Sequence, residues 1–330
     1  TGVEHGTVTG VSGRRPYEIT TLRRDVETDG RRAVVAFTQD WTEDAARRDF
    51  RINALYADAA GTVFDPTGGG LADAEAGRIG FVGEPEQRIR EDYLRILRFF
   101  RFHAWYGRTA PDAAGLAACA ALKDGIERLS AERVSKELLK LLAAPDPTAT
   151  VRAMVEVGVL AQVLPEFSGL ELFEAVAGRT KDAVLRLSAL LPADGALVDA
   201  IARRLRLSNA DRERLVAAVD DGAVDVGMEA RAARAAVYRL GRQSFEDRLL
   251  RAEAEADTMR DDLHALAETW VPPKVPVGGK DVARLGLAAG PVIGAVLEAF
   301  EDQWVADDFP ETGHQDRLTA LVAALKEPRG

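Results

Sequence analysis

Glu91-Asp92-Tyr93-Leu94-Arg95-Ile96-Leu97-Arg98-Phe99-Phe100-Arg101-Phe102 is the stretch on which the reading of this chain turns. Apolar residues recur at three- and four-residue spacing, which predicts a helix from Ile89 to Tyr106. Asp92, Arg95 and Arg98 form a second stripe, with Arg101 beyond them, at the three-residue steps that share one helical face. By spacing alone, Asp92 and Arg95 are equally well an i, i+3 surface ion pair worth about 0.2–0.5 kcal/mol. Between Arg78 and Arg108 stand seven arginines against four acidic residues, whereas the whole chain carries 43 basic and 53 acidic residues and a net charge of −10. A polyanion is repelled by the molecule as a whole, so any nucleic-acid contact must use a local basic surface such as this one.

Upstream of this stretch the pattern changes period. Thr7 to Thr21 alternates apolar and polar residues around the turn formers Ser12-Gly13-Arg14-Arg15-Pro16, which predicts a β-hairpin. Arg23 to Arg32 is read as a charged loop with a glycine turn, followed by a short strand from Ala33 to Phe37. Thr42, with Glu43 and Asp44 behind it, is expected to cap a helix reaching about Leu55. A strand pair around Ala54 to Ala57 and Thr62 to Asp65 leads into Gly68-Gly69-Gly70, read as a hinge. Downstream the chain is almost wholly helical, with predicted helices at Ala131 to Ala143 and Thr148 to Val157 set off by Pro111, Pro145 and Pro147. Val271-Pro272-Pro273-Lys274-Val275-Pro276 reads as a linker to a small helical unit.

The 330 residues are 47% hydrophobic and 29% charged, a globular composition without a long uncharged run, so no membrane partner is expected. Cys119 is the only cysteine, which excludes a disulfide framework and suits a reducing cytoplasm. The four histidines show no metal-ligand spacing, and His103 on an apolar helix is read as a satisfied core residue.

Four motifs follow one another in order. They are Arg47-Arg48-Asp49-Phe50-Arg51-Ile52-Asn53-Ala54; Asp65-Pro66 with Gly68-Gly69-Gly70 and Asp73; the Glu91 to Phe102 stretch; and Glu132-Arg133-Val134 with Glu137-Leu138-Leu139-Lys140. In this order, and together with Glu4-His5-Gly6-Thr7-Val8 and Tyr17-Glu18-Ile19-Thr20-Thr21-Leu22-Arg23, they resemble the class II tRNA nucleotidyltransferases, the bacterial CCA-adding enzymes and their poly(A) polymerase relatives. The resemblance covers about the first 145 residues, with a further likeness in the glycine-punctuated tail from Gly279 to Gly294.

The resemblance implies an α+β chain. The C-terminal part of a nucleotidyltransferase head, a mixed β-sheet with a helix, would occupy residues 1–70. An elongated all-α neck (71–144), body (145–270) and tail (271–330) would follow. It implies addition of C, C and A to the tRNA 3′ end from CTP and ATP, with Asp92 and Arg95 as a protein template. Cytosine and adenine both show an amino donor beside a ring-nitrogen acceptor, which a carboxylate and a guanidinium on one helical face would pair with. Arg48, Asp49 and Asn53 would meet the ribose, whose 2′-hydroxyl both donates and accepts. Arg98 and Arg101 are candidates for phosphate contact, with a solvated basic face as the alternative. An ion pair from Arg47 and Arg48 to Glu43 and Asp44 is compatible with the ribose role.

Asp29 and Arg32 are similar to the flexible-loop element of enzymes that switch from C to A addition. Two Mg²⁺ ions are implied, with Glu18 as an additional metal-proximal, catalytic carboxylate. The Asp-x-Asp and Gly-Gly-x-x-Arg-Asp motifs of the family belong upstream of Gly2 to Thr7, so the chain is expected to begin inside its head domain and to be inactive alone. Arg51 departs from the small hydroxyl residue usual after the Phe. The tail would meet the tRNA elbow, and no DNA partner is expected. Poly(A) synthesis and non-catalytic tRNA binding remain the alternatives.

Overall fold

The computed structural model describes residues 7–29, 32–220, 222, 224–287 and 290–326. It divides into two compact units, Thr1–Val219 and Asp220–Gly330. Among the described residues no helix is long and apolar enough to cross a membrane.

The first unit has the expected α+β character, its strands standing as three antiparallel pairs of sequence neighbours. β1 (Thr7–Ser12) pairs with β2 (Arg15–Thr20), placing Val8 opposite Ile19 and Thr9 opposite Glu18. Gly13 and Arg14 turn the hairpin at φ of 56° and 63°. The charged stretch read as a loop is instead a strand, β3 (Arg23–Asp29), paired with β4 (Arg32–Phe37). A hairpin ladder is made by backbone groups, so side-chain charge did not forbid it.

α1 (Trp41–Ala46) is capped by Asp40, whose carboxylate takes the Thr42 N–H at 2.7 Å, and not by Thr42. Nor does this helix reach Leu55. Phe50 is drawn into an extended bridge to Phe81, and only a 3-10 turn, Arg51–Asn53, follows. Burial of Phe50 against Phe81 and Phe102, with ring centroids at 5.0 and 5.1 Å, outweighs the helical continuation.

β5 (Tyr56–Ala57) and β6 (Val63–Phe64) form the expected small pair. The glycines after it are a packed turn and not a hinge. Asp65 accepts from Thr67 Oγ1 and from the Gly68 and Leu71 N–H groups, and α2 (Gly70–Ala76) starts at once. A Cβ on Gly70 would lie 2.6 Å from the Arg51 carbonyl oxygen, so glycine is what lets α2 approach the 3-10 turn.

The long helix expected from Ile89 to Tyr106 is two helices. α3 (Pro85–Glu91) ends where Asp92 turns extended, at φ −155° and ψ 107°, and α4 (Leu94–Tyr106) starts after Tyr93. The Asp92 carboxylate accepts the Leu94 N–H at 3.1 Å, satisfying a donor that a fresh helix start leaves without a partner. α5 (Ala113–Leu122) packs against α3, and α6 (Ala131–Leu142) packs against α4, whose Ile96, Leu97, Phe99 and Phe100 are buried. His103 is the satisfied core histidine expected, bonded to Thr150 Oγ1 at 2.8 Å and to the Thr109 carbonyl at 2.9 Å.

α7 (Thr148–Glu156), α8 (Val159–Val163), α9 (Glu171–Ala177), α10 (Ala183–Ser188), α11 (Gly195–Arg204) and α12 (Asn209–Val219) complete this unit. Arg186 of α10, fully buried, donates to the carbonyls of Leu142, Ala144, Pro145 and Ala177, closing the C-terminal ends of α6 and α9.

In the second unit α13 (Ala230–Leu240), α14 (Arg242–Glu255) and α15 (Asp261–Thr269) enclose Phe245 and Leu249. Residues 270–278 run without helix or strand, as expected of the proline-rich linker, and Val271 is exposed. α16 (Gly279–Arg284), α17 (Pro291–Ala306) and α18 (His314–Lys326) then pack around Phe300 and Trp304.

Candidate functional site

The turn Arg47 to Asn53 and the first half of α4, far apart in sequence, meet through polar contacts. Asp49 is buried and uses both carboxylate oxygens. Its Oδ1 accepts from the Phe50 N–H and Asn53 Nδ2, each at 2.9 Å, and its Oδ2 accepts from Arg98 Nε at 2.6 Å and Nη2 at 2.5 Å. Arg95 lies alongside, donating through Nη2 to the Arg47 carbonyl at 3.3 Å and through Nη1 to Glu91 at 2.6 Å and the Arg88 carbonyl at 2.9 Å. Asp92 accepts from Arg133 of α6 at 2.7 Å. Arg98 is thus joined to Asp49 and Asn53, and Arg95 to the backbone of Arg47, whereas Asp92 pairs separately with Arg133.

The geometry of Asp92 differs from expectation. It stands in the break between α3 and α4, so its carboxylate and the Arg95 guanidinium are not presented from one continuous helical face. Each instead has an ionic partner of its own, Arg133 for Asp92 and Glu91 for Arg95. Such pairs offer the same chemistry as a base edge: the carboxylate already accepts an N–H and the guanidinium already donates one.

Arg48 is held by Asp44, through Nε at 3.1 Å and Nη2 at 2.8 Å, as in the i+4 pairing weighed for it above. Asp44 also accepts from Tyr56 Oη at 2.7 Å, the Arg23 N–H at 2.9 Å and Arg47 Nε at 3.2 Å. Burial works to raise the pKa of Asp44, but the bonds from Tyr56, Arg23 and Arg48 outweigh it and hold the carboxyl well below its usual range. Burial, reinforced by Asp44, pushes the Tyr56 hydroxyl up to about 12.

Arg101 joins a different set. It pairs with Glu137 of α6 and lies over the Phe102 ring at 4.3 Å, tying α4 to α6. Glu18 is exposed on β2, and among the described residues no group of three His, Cys, Asp or Glu side chains is placed to hold a metal ion. Asp29 and Arg32 are register partners at the ends of β3 and β4, while Gly30, Arg31 and the side chains of Asp29 and Arg32 lie outside the described residues, as do Glu4, His5 and Gly6.

The pairing of Asp44 with Arg48 was read from the i+4 spacing. Arg133 and Asp73 each stood in a motif without a role of their own. Asp73 is the more informative of the two. It is fully buried and takes Arg51 Nε at 2.6 Å and Arg78 Nε at 2.5 Å, which explains the arginine at position 51.

Residues 1–80 match the family described as the Poly A polymerase head domain, and residues 112–170 match the probable RNA and SrmB-binding site of polymerase A. The chain is 32% identical to the mouse mitochondrial CCA tRNA nucleotidyltransferase 1 over 99% of its own length and 76% of that protein. It is 31% identical to the CCA-adding enzyme of Levilactobacillus brevis over 99% of its length and 83% of that protein. The Bacillus stearothermophilus CCA-adding enzyme solved in complex with CTP superposes with a TM-score of 0.78 at 25% identity, covering 98% of this chain and 83% of that one. These likenesses run through both the head and the helical region, and the chain belongs to the CCA tRNA nucleotidyltransferase family.

Proposed function

We propose that this protein adds C, C and A to the 3′ end of tRNA from CTP and ATP, without a nucleic-acid template. The observation that carries the reading is the convergence of Arg95 and Arg98 on Arg47 and Asp49, 48 and 49 residues away. A base-selecting pair and a ribose-recognising motif would then lie side by side. An incoming C or A would offer its amino group to Asp92 and its ring nitrogen to Arg95, displacing Arg133 and Glu91. U and G reverse donor and acceptor there, at about 1–3 kcal/mol for each pair lost.

Asp49 with Asn53 and Arg48 would read the ribose hydroxyls. Arg98, half-exposed, would turn from Asp49 to a phosphate, whose oxygens suit its planar fork. Arg101 takes a lesser part in phosphate contact, because Glu137 already holds it. The tRNA 3′-hydroxyl attacks the α-phosphorus and pyrophosphate departs.

Mg²⁺ would lower the pKa of that hydroxyl and steady the leaving group. Glu18 is the carboxylate proposed beside it, but the described residues do not themselves fit a two-ion site. The 330 residues contain no Asp-x-Asp. In this reading residues 71–144 select the nucleotide, 145–270 form the body, 271–330 meet the tRNA elbow, and Asp29 and Arg32 take part in the change from C to A. A reducing cytoplasmic compartment suits Cys119, which burial keeps as a neutral thiol.

The test is nucleotide use by the full-length protein on a tRNA lacking its 3′ end. Incorporation of CTP followed by a single A is expected. ATP alone polymerised on any RNA would favour poly(A) synthesis, and tight tRNA binding without incorporation would favour a binding protein.

A further inference from the structure

We propose that the cavity at the C-terminal end of α4 is a second nucleotide site, which holds one nucleoside monophosphate unit apart from the pair Asp92 and Arg95. It lies within the first unit and has a volume of about 450 Å³, in the usual range for small-molecule sites. The inference concerns binding and does not depend on the reading of catalysis.

The chain builds the cavity by turning back on itself. α2 ends at Gly77, left-handed at φ 66°, and the Arg108 N–H, just past α4, donates to the Gly77 carbonyl at 3.0 Å. A Cβ on Gly77 would lie 2.7 Å from the Arg108 Cβ, so glycine permits this close approach. Phe102, Trp105 and Tyr106 of α4 then form one wall, and the end of α2 forms the other.

The aromatic wall is left open to solvent, with Trp105 40% and Tyr106 54% exposed. The Trp105 indole N–H donates to the Lys140 carbonyl at 2.7 Å, and the Tyr106 ring packs on Phe102 with centroids 5.7 Å apart. Both rings are therefore held in place, as a stacking platform for a base requires.

The same cavity carries an excess of positive charge. Asp73 is the only acidic residue lining it, and Arg51 and Arg78 already share that carboxylate. Arg108 has no carboxylate partner among the described residues, and its guanidinium reaches only the Ala74 carbonyl, at 3.5 Å. An apolar ligand would leave Arg108 without a counter-ion, and a bare anion would leave the rings in water. A nucleotide uses both, its phosphate on the guanidinium and its base on the aromatic wall. Asn53 adds an amide that can both donate and accept. It also ties the cavity to the first site, because its Nδ2 donates to Asp49 at 2.9 Å.

The test follows tryptophan fluorescence of the full-length protein during titration with adenosine 5′-monophosphate. Trp105 is one of four tryptophans, so the quench expected from stacking is the part that Trp105→Phe removes. Tyr106→Ala and Arg108→Gln, both at exposed positions, should each raise the dissociation constant by about tenfold or more, the worth of one stacking or phosphate contact. Asp92→Ala should leave it unchanged. The site is overturned by a quench that survives in Trp105→Phe, by wild-type affinity in both Tyr106→Ala and Arg108→Gln, or by a signal lost in Asp92→Ala. Displacement of the nucleotide by inorganic phosphate at equal concentration overturns it too, since that marks an anion site without a base. Tighter binding of a single-stranded oligoribonucleotide than of the monophosphate assigns the cavity to one residue of an RNA strand, and equal binding assigns it to a free nucleotide. Either result supports the site. Failure to incorporate CTP refutes the proposed function and is read separately from this titration.

Discussion

Arg98 donates to the carboxylate of Asp49 and is 31% exposed, whereas Arg186 is wholly buried and donates to four backbone carbonyls. The two arginines belong to the same compact unit and answer the same need, a cation held by oxygen acceptors. What differs is the replaceability of the partner. A carboxylate beside solvent can be exchanged for a phosphate or a base edge of like charge or like polarity. The carbonyls around Arg186 terminate α6 and α9 and cannot leave without opening those helices. Burial lowers the pKa of Arg186, with Asp146 and Asp182 opposing it, yet a guanidinium remains charged. Charge in this molecule is thus either locked or on loan, and the partner's chemistry tells which.

The sharpest way to break that distinction is Arg186→Met. The variant should lose about 3–5 kcal/mol of stability, because several buried carbonyls lose their donor at once. Thermal unfolding checks this, and the protein that remains folded should still discriminate nucleotides as the wild type does. A stable variant with altered nucleotide choice would put Arg186 among the exchangeable arginines.

Asp92→Ala tests the other class. Discrimination against U and G should fall by roughly ten- to a hundredfold, the worth of one well-made side-chain-to-base pair, while tRNA affinity changes little. Single-nucleotide incorporation from each of the four triphosphates measures it. Unchanged rejection of U and G would remove Asp92 from the template role and leave it as the cap of α4 and the partner of Arg133.

Much of this contrast was legible in the chain itself. The order of the motifs named the residues that meet at Arg95 and Arg98, and the apolar spacing placed α4, α6 and α7. The break at Asp92 was not legible, because a carboxylate three residues before Arg95 has the same spacing whether it lies on a helical face or caps a new helix. β3 was hidden by its charge, since strand pairing is a property of the backbone. The short α1 was hidden because the pull on Phe50 comes from Phe81 and Phe102, contacts between residues far apart in sequence. Asp73 stood in a motif, but nothing in its spacing marked its burial or its bonds to Arg51 and Arg78, and with them the purpose of Arg51.

A smaller effect is expected one residue past Asp92. A Cβ on Gly125 would collide with the Tyr93 ring, which Arg128 faces from 5.3 Å. Gly125→Ala should therefore displace Tyr93 at a cost of about 1–3 kcal/mol, the usual range for overpacking. Because Tyr93 joins Asp92 to α4, the KM for CTP should rise as well. A loss of stability with KM unchanged would show that the Asp92 turn is set by its own caps and not by the packing beneath it.

Arg51→Thr, which restores the small hydroxyl residue usual at this position, should have the smallest effect. Asp73 keeps Arg78 but loses the Arg51 bond to Oδ2, and a buried carboxylate oxygen left without its donor costs about 1–3 kcal/mol. The space vacated beside Gly80, where the Arg51 guanidinium packs close, lets water enter and offset part of that cost. Stability should therefore fall by no more than about 2 kcal/mol in thermal unfolding, at the low end of that range. Nucleotide choice should not change, because the Arg51 bond runs to Asp73 and not to Asp49, Asp92 or Arg95. If C/A selectivity moved while stability held, Arg51 would belong with the arginines whose partner is on loan, and Asp73 would be a placeholder for a ligand and not a permanent counter-ion.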